Sequence, residues 1–566
     1  MKRRGEDMPS SSSTTWSCAA QVNQTSPLAL SLSLSPLSLS LSLSLSLFSL
    51  FLSEVRASVT IREKKKKKRE EKRKREKKKR EREDDDGVRR TALSELNERE
   101  RERERGVMSD ERKIVIDNGS HYCRAGWSDT SSSASSTTTT TTTKAASEDG
   151  PRVCVRNLVI KPRSRETNEV FTLVGQVPAQ ALVGLDAARA PVKSPFESNV
   201  VVNFETLETV FDYVFDKVLL GEGGEEGGGG EGMIENEVVL TECVLNPQAS
   251  RQNAAELLFE TYGCPGVHLG PDCTFAYGYN LLRAGNSKNA EFDAKKGVKP
   301  TGIVLSMGHS STSLVPFVGG APCFEHSLRM RLSGLGVTSY LQNVLELKYS
   351  KHLSRKDHPL SGFNLAETIK SKMCFVASDY HAKLRSIQAR LLEVPSSSSS
   401  SSPRNGLAES FNGGLLGDCS CPEVLEMIPE LDFNTAVERI QVPEVYFQPS
   451  LAGVDQMSVA EALVALSDAV TGKLSLQEHE PLESVLLVGG SSKFRGMSDR
   501  LHEELRSQCR VGTSLNVVDA WDPDLDAWRG AAAYANGSLK QKEAFATYVN
   551  KREYEELGPN RIFVAT

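Results

Sequence analysis

Three short polar turns hold the residues of this sequence that are best suited to chemistry. They are Asp117–Ser120, Ser306–Thr312 and Gly489–Ser492, and each follows a run of apolar residues. In such turns, backbone N–H groups and a hydroxyl can converge on a phosphate, and a nearby carboxylate can bind a metal ion. The first two turns share one layout, a strand that enters and a strand that returns, so together they could hold a polyphosphate from both sides. The third could let the backbone approach a nucleoside.

The segments around these turns alternate between strand and helix patterns, which is typical of α/β proteins. The predicted strands are Val200–Phe204, Glu237–Thr241 and Val485–Val488, and a hairpin is predicted from Ile303–Leu305 and Ser313–Phe317. The predicted helices are Leu207–Leu220, Ser250–Tyr262, Thr338–Tyr349 and 381–392. Three tracts between these segments, Thr137–Thr143, Gly223–Gly232 and Ser396–Ser402, are predicted to be expansions of surface loops.

Residues 1–108 have a different, low-complexity composition. Leu and Ser alternate over 29–52, Lys, Arg and Glu fill most of 62–83, and Glu and Arg alternate over 98–105. Such blocks carry almost no aromatic residues and no apolar period that would bury a core, so we expect this region to be disordered.

Three interpretations of these blocks stay open. The Leu/Ser block could be a signal peptide or membrane segment, although serine at every second position suits a hydrocarbon span poorly. The basic block could direct nuclear import or bind nucleic acid, although its many glutamates dilute the charge. The interpretation we favour is translated simple-sequence DNA, with the functional protein beginning at Met108. Mass spectrometry of the native N-terminus tests this interpretation, and abundant peptides from residues 1–100 would contradict it.

The composition argues against several kinds of site. The chain has 566 residues, 39% of them hydrophobic, and a formal net charge of −5, so charge alone does not predict nucleic-acid binding. Eleven cysteines are scattered without a C-x-x-C pair and nine histidines form no cluster along the sequence, so a zinc site is not expected. Cys123, Cys243, Cys264 and Cys374 lie in apolar runs and are predicted to be buried thiols, which suits a reducing compartment.

The order and spacing of the three turns resemble the actin family, and the resemblance covers essentially all of 112–566. Further matching segments are Leu240–Pro247, Leu258–Tyr262, Ile369–Ala377, Phe447–Ser450 and Lys551–Pro559. The resemblance implies the actin/Hsp70/hexokinase superfold, with two similar α/β domains around a nucleotide cleft. The first domain would comprise 109–297 and 523–566, and the second 298–522 with a polar loop insertion at about 393–430. A sugar kinase or an Hsp70-like chaperone of the same superfold is disfavoured, because the matches are specific to actins.

The resemblance also implies that ATP or ADP with Mg²⁺ lies between the domains, the alternative being an empty cleft. The residues that would hold the nucleotide are Asp117, Gly119, Ser120, Arg124, Gly308, Lys370, Gly489, Gly490 and Ser491, and Asp117 would also bind the metal. Beside the nucleoside, Asp524 and Ser371 replace a lysine and a glutamate of the family.

The positions from which actins place the attacking water carry different residues here. Asp272 stands where the family has a glutamine and Ser313 where it has a histidine, while Ser306 and His309 replace two aspartates. Hydrolysis needs a positioned water in line with the γ-phosphate and charge neutralisation at the transferring group. We therefore expect weak or absent ATPase activity and no catalytic residues. A bound nucleotide would be structural and would stabilise the fold by mass action.

Three segments favour one nuclear branch of the family over conventional actin, namely Ser194–Val200, Tyr446–Gly453 and Leu525–Ala531. Members of that branch are subunits of INO-eighty-type chromatin-remodelling complexes. The branch implies a non-catalytic nuclear subunit that supports nucleosome remodelling, transcription regulation and DNA repair. Its partners would be a chromatin-remodelling motor ATPase, a small dedicated subunit, and the histones and DNA of the nucleosome through the complex, with no membrane. The alternative is a cytoskeletal actin-like ATP-binding protein that forms filaments.

One departure from that branch concerns the segment after Tyr380. Relatives usually carry a long charged helical insertion there, whereas here only 381–392 has a helical pattern before a polar stretch. If that insertion grips nucleosomes in the relatives, this chain would lack the means to do so directly.

Overall fold

The computed structural model describes residues 112–128, 150–177, 179–187, 190–220, 234–286, 297–353, 361–393, 437–474, 480–539 and 545–559. They belong to one compact unit, Asp110–Thr566. The blocks before Met108, the three tracts predicted as loop expansions, and residues 394–430 of the predicted insertion lie outside the described residues.

The strands of the described part, numbered in chain order, follow. They are β1 (Ile114–Asn118), β2 (Tyr122–Trp127), β3 (Val153–Arg156), β4 (Val159–Ile160), β5 (Arg163–Ser164), β6 (Leu173–Val174), β7 (Leu185–Asp186), β8 (Val192–Lys193), β9 (Phe196–Glu197), β10 (Val200–Val201), β11 (Val238–Glu242), β12 (Gly266–Pro271), β13 (Gly302–Met307), β14 (Thr312–Val318), β15 (Ala321–Pro322), β16 (Leu328–Met330), β17 (Val485–Val488), β18 (Val517–Asp519) and β19 (Thr547–Asn550).

The helices are numbered in the same way. They are α1 (Phe204–Leu220), α2 (Gln248–Glu256), α3 (Asp272–Asn286), α4 (Gly334–Leu353), α5 (Ser361–Met373), α6 (Tyr380–Glu393), α7 (Glu438–Glu444), α8 (Val459–Leu474), α9 (Met497–Gln508), α10 (Asp526–Ala535) and α11 (Lys551–Leu557). No helix in the described part of the chain is both long and apolar enough to cross a membrane.

The first large sheet has the strand order β19-β12-β11-β1-β2-β3. Strands β1, β11 and β12 are parallel, and β1 and β2 form an antiparallel hairpin. Ile114 and Ile116 belong to one hydrophobic cluster and Val115 to another, so β1 is covered on both faces. A strand covered on both faces is continuously apolar, which explains the run of hydrophobic residues that precedes the first turn.

The second large sheet repeats this arrangement, with the order β15-β14-β13-β17-β18 and with β16 paired to β14. Strands β13 and β14 form an antiparallel hairpin, which confirms that prediction, and β17 lies parallel to both β13 and β18. Ile303 and Leu305 pack into one cluster and Val304 into another. Together with the flanking helices, the two mixed sheets confirm the predicted α/β class.

Helices α3 and α10 join the two sheets through a shared hydrophobic cluster. This cluster contains Val115 of the first sheet, Val304 of the second, and Trp528 of α10, which is 1% exposed. A Cβ at Gly530 would lie only 1.9 Å from the backbone oxygen of Phe275, so the two helices touch where only glycine fits. We call β1–β3, β11, β12 and β19 the first lobe and β13–β18 with α4 and α5 the second lobe. The domain boundaries inferred from the sequence stay a prediction.

The predicted strand Val200–Phe204 is wrong over most of its length. Only Val200 and Val201 pair with a neighbouring strand, and α1 already begins at Phe204. The reason is a helix cap, because the side-chain oxygen of Asn203 accepts a hydrogen bond of 3.0 Å from the backbone N–H of Thr206. The predicted helix Ser250–Tyr262 is present as α2 followed by a π-helical turn, Leu257–Thr261.

Candidate functional site

A cavity of about 580 Å³ lies between the two lobes, and all three polar turns reach it. Every residue that the sequence suggested for nucleotide binding lines this cavity. They are Asp117, Gly119, Ser120, Arg124, Gly308, Lys370, Gly489, Gly490 and Ser491. The four altered positions also lie there: Asp272, Ser306, His309 and Ser313. Residues that are far apart in sequence therefore converge on one cleft.

The first turn is fixed by the side chain of Asp117 at the end of β1. Asp117 is 4% exposed, and its Oδ1 accepts a hydrogen bond of 2.9 Å from the hydroxyl of Thr241. Its Oδ2 forms an ion pair of 3.1 Å with Arg124, which lies directly opposite on β2. Asn157 donates to the backbone oxygen of Gly119 at 3.0 Å and holds the turn from β3's side. Both carboxylate oxygens of Asp117 thus already have protein partners.

The second turn connects β13 to β14 and also supports helix α4. The backbone N–H of Gly308 donates to the oxygen of Ser311 at 3.0 Å, and the N–H groups of Gly334 and Leu335 donate to the oxygens of Gly308 and His309. The start of α4 is therefore attached to this turn. A movement of the turn would be transmitted to that helix.

The third turn follows β17 and needs glycine at its first position. Gly489 has φ +89°, and a Cβ there would lie 2.6 Å from the backbone oxygen of Met307. Beside this turn, Lys493 forms an ion pair of 2.5 Å with Asp524. Asp524, which the resemblance aligns with a lysine of the family, is thus paired with a nearby lysine.

Lys370 on α5 is the cation of the second lobe that lies deepest in the cleft. Its ammonium group donates to the hydroxyl of Thr338 at 2.7 Å and to the backbone oxygen of Gly334 at 3.2 Å. Burial lowers the pKa of Lys370. Both partners belong to α4, so Lys370 ties α5 to the helix that the second turn supports.

Asp272 begins α3 and faces the same cavity as Asp117. Burial raises the pKa of the Asp272 carboxyl from 3.8 to about 7, and the negative charge of Asp117 adds to this effect. Ser313 lies opposite Ser306 in the β13–β14 hairpin and is 5% exposed. This part of the cleft therefore offers a carboxyl group with a raised pKa and a hydroxyl group, at the positions that the resemblance aligns with an amide and an imidazole.

A pair of histidines joins the two lobes at the centre of the cleft, which the sequence did not predict. The Nδ1 atoms of His121 and His309 lie 2.9 Å apart, although the residues are 188 positions apart in sequence. Glu367 on α5 places Oε1 at 3.3 Å from the same Nδ1 of His121. Burial lowers the pKa of His121 to about 2 and that of His309 to about 3, so both rings are neutral at neutral pH. The available signal was positional: each histidine follows closely on the glycine of one of the two similar turns.

The backbone of the cleft suits a phosphate better than its side chains suit Mg²⁺. A Cβ at Gly119, Gly308 or Gly489 would lie within 3.0 Å of a backbone oxygen, so glycine alone keeps these turns open. Mg²⁺ requires an octahedral set of oxygens. Among the described residues of the cleft, Asp117 and Asp272 are the carboxylates on the first lobe's side, and the oxygens of Asp117 are already engaged. The glycine turns therefore suit a phosphate group, whereas a metal ion at Asp117 would have to replace its contact with Thr241 or Arg124.

Comparison with known proteins gives one consistent result. The family profile described as Actin matches residues 108–565. Actin-related protein 5 of Arabidopsis thaliana is 38% identical over 276 residues, which is 49% of this chain and 32% of that protein. Actin-related protein 5 of Drosophila melanogaster is 30% identical over 49% of this chain and 38% of its own length, so these two matches span less than half of either relative. Actin-related protein 5 of Homo sapiens is 24% identical over 79% of this chain and 87% of its own length.

Proposed function

Because the chain belongs to the actin family, we propose that it is a non-catalytic, actin-related subunit of an INO-eighty-type chromatin-remodelling complex in the nucleus. One observation carries the proposal that it does not hydrolyse ATP. The cleft contains the glycine turns and Asp117, and it also contains Asp272 and Ser313, which the sequence resemblance aligns with the two positions from which actins place the attacking water.

The chemistry at these two positions disfavours hydrolysis. A serine hydroxyl at 313 cannot relay a proton at neutral pH as an imidazole can. When ionised, the carboxyl group of Asp272 would repel both Asp117 and the phosphates of a bound nucleotide. A nucleotide in this cleft would accordingly be a structural ligand, either ATP or ADP with Mg²⁺ at Asp117, and would hold the two lobes together.

The similarity to proteins named Actin-related protein 5 supports the choice of complex. In that role the energy of ATP hydrolysis comes from a separate motor ATPase, and this subunit couples the motor to the nucleosome. Its direct partners would be the motor ATPase and a small dedicated subunit, and it would reach histones and DNA through the complex. Nucleosome remodelling, transcription regulation and DNA repair would follow from membership of the complex.

Two measurements on the full chain test this proposal. Phosphate release by the purified protein is expected to be far slower than that of a conventional actin under the same conditions. Turnover at rates typical of actin would contradict the non-catalytic assignment. The double variant Asp272→Gln, Ser313→His restores the residue types of hydrolytic actins, and it is the matched comparison for residual turnover.

The second measurement addresses the complex. A tagged full chain expressed in its own cells is expected to co-purify with a remodelling motor ATPase and with histones. The competing function is an actin-like protein that forms filaments. Sedimentation of the purified protein under polymerising conditions, without any motor in the affinity eluate, would support that function instead.

A further inference from the structure

We propose that His121, His309 and Glu367 form a binding site for Zn²⁺ that links the two lobes across the cleft. The site does not rest on the proposed function, and it lies in the same cavity as the residues proposed for nucleotide binding. One ligand atom from each residue lies within 4.8 Å of the other two. His121 comes from the first lobe, and His309 and Glu367 come from the second.

Two of the three distances between the ligand atoms are close to those of a tetrahedral zinc site, and the third is within 4.8 Å. With Zn–N bonds of about 2.0 Å, two nitrogen ligands lie about 3.3 Å apart. The Nδ1 atoms of the two histidines are 2.9 Å apart, and Oε1 of Glu367 is 3.3 Å from Nδ1 of His121. A small rotation of the imidazoles therefore admits the ion. Two histidines and one carboxylate supply three protein ligands, which leaves a fourth position for water or for a phosphate oxygen.

The ring of His121 is already oriented for this role. It stacks on Tyr122 with the ring centroids 4.4 Å apart and the planes inclined by 13°. Its Nε2 atom is buried and has no hydrogen-bond partner among the described residues, so Nδ1 makes the polar contacts of the ring. Without a metal, two neutral imidazoles can share one Nδ1–H. With a metal, both rings adopt the tautomer that carries its proton on Nε2, and the Nε2–H of His121 then has no acceptor among the described residues.

Glu367 is held so that one oxygen remains directed at the histidines. Its Oε2 lies 3.6 Å from the guanidinium group of Arg156, while Oε1 lies near His121. Arg156 is held in turn by Asn364, whose Oδ1 accepts a hydrogen bond of 2.8 Å. Metal-binding carboxylates typically have such outer partners, which fix the orientation of the ligand.

The donor atoms, rather than the neighbouring charges, select the kind of ion. Three cationic side chains lie near the site, and each already contacts a partner. Arg156 contacts Glu367 and Asn364, Lys370 contacts Thr338 on α4, and Arg124 contacts Asp117. The two nitrogen donors favour a borderline-soft ion such as Zn²⁺, whereas Mg²⁺ and Ca²⁺ require oxygen ligands. Zn²⁺ and Mg²⁺ would thus use different residues of the cleft.

The test uses the full chain after treatment with EDTA and without nucleotide. Zn²⁺ is titrated in competition with a chromophoric chelator, and Co²⁺ is titrated while the visible spectrum is recorded. We compare the wild type with His309→Asn, Glu367→Gln and His502→Asn. His502 lies on α9 and does not line the cleft, so its substitution is the matched control.

We expect one tight Zn²⁺ per wild-type chain, intense Co²⁺ absorption of the tetrahedral type, and no displacement by excess Mg²⁺. His309→Asn should lower the affinity at least tenfold, and His502→Asn should leave it unchanged. Zn²⁺ should raise the melting temperature of the wild type and of the control, but not that of His309→Asn. Equal affinity in His309→Asn and the control, or the weak spectrum of six-coordinate Co²⁺ in the wild type, would overturn the proposal and leave only a hydrogen bond between the histidines.

Discussion

The raised pKa of the Asp272 carboxyl group predicts how the stability of the protein depends on pH. Its pKa is raised by burial from 3.8 to about 7, so the folded protein keeps a proton that the unfolded chain has lost. Between these two pH values the folded state binds more protons than the unfolded state. The free energy of unfolding therefore falls as the pH rises from about 4 to about 7, and it is constant above that range.

The substitution Asp272→Asn removes this dependence, because an amide does not ionise. One pKa unit corresponds to about 1.4 kcal/mol, so the difference between 3.8 and about 7 sets an upper limit of about 4 kcal/mol. Asp272 is only partly buried in the wall of an open cleft, and solvent screens some of this energy. We expect the variant to be more stable than the wild type by about 1–2 kcal/mol at pH 8 and by much less at pH 4.5.

The assay is unfolding by urea at pH 4.5 and pH 8, followed by tryptophan fluorescence. Trp528, one of the four tryptophans, is 1% exposed in the folded protein and becomes exposed on unfolding. The matched control is Asp499→Asn, which changes an exposed aspartate on α9. A gain in stability that is the same at both pH values, or a variant that is less stable than the wild type at pH 8, would refute the electrostatic argument.

Two further substitutions test how the cleft and the second lobe are held. Gly489→Ala should lower the free energy of unfolding by about 1–3 kcal/mol, because alanine disfavours φ +89° and its Cβ would lie 2.6 Å from a backbone oxygen. Gly512→Ala is the control, since Gly512 has φ +96° but open space around it. Its loss of stability in the same thermal unfolding experiment should be clearly smaller. Arg500→Ala should lower the free energy of unfolding by about 3–5 kcal/mol, because it leaves the fully buried carboxylate of Glu444 without its ion pair. Arg552→Ala removes an exposed ion pair and should not change the midpoint of urea unfolding measurably.

The parts of the fold that the sequence predicted are those set by local patterns. The apolar run before Asp117 and the returning strand fix the hairpin in which Asp117 lies opposite Arg124. The strand predicted over Val200–Phe204 failed for an equally local reason, since the cap at Asn203 starts the helix before the strand can continue. A β-branched run and an N-cap compete there, and the cap decides the outcome.

The parts that the sequence did not predict depend on contacts between distant segments. The absence of clustered histidines argued against zinc, yet folding places His121 beside His309 because the two similar hairpins face each other. Spacing along the chain detects a metal site only when its ligands lie in one loop or helix. The pKa of Asp272 escapes prediction for the same reason, because it depends on burial and on Asp117, which belongs to another strand.

Side-chain contacts across the cleft hold the two lobes together directly. Here His121 contacts His309, and Arg156 of the first lobe contacts both Asn364 and Glu367 of the second. These contacts come from the chain itself, so they do not require a ligand. A phosphate chain that spans both turns must displace the pair of imidazoles or separate the turns. Because Gly334 and Leu335 are hydrogen-bonded to the second turn, a movement of that turn would also move the start of α4. His309, which the resemblance aligns with an aspartate of the family, thus takes part in a direct connection between the lobes.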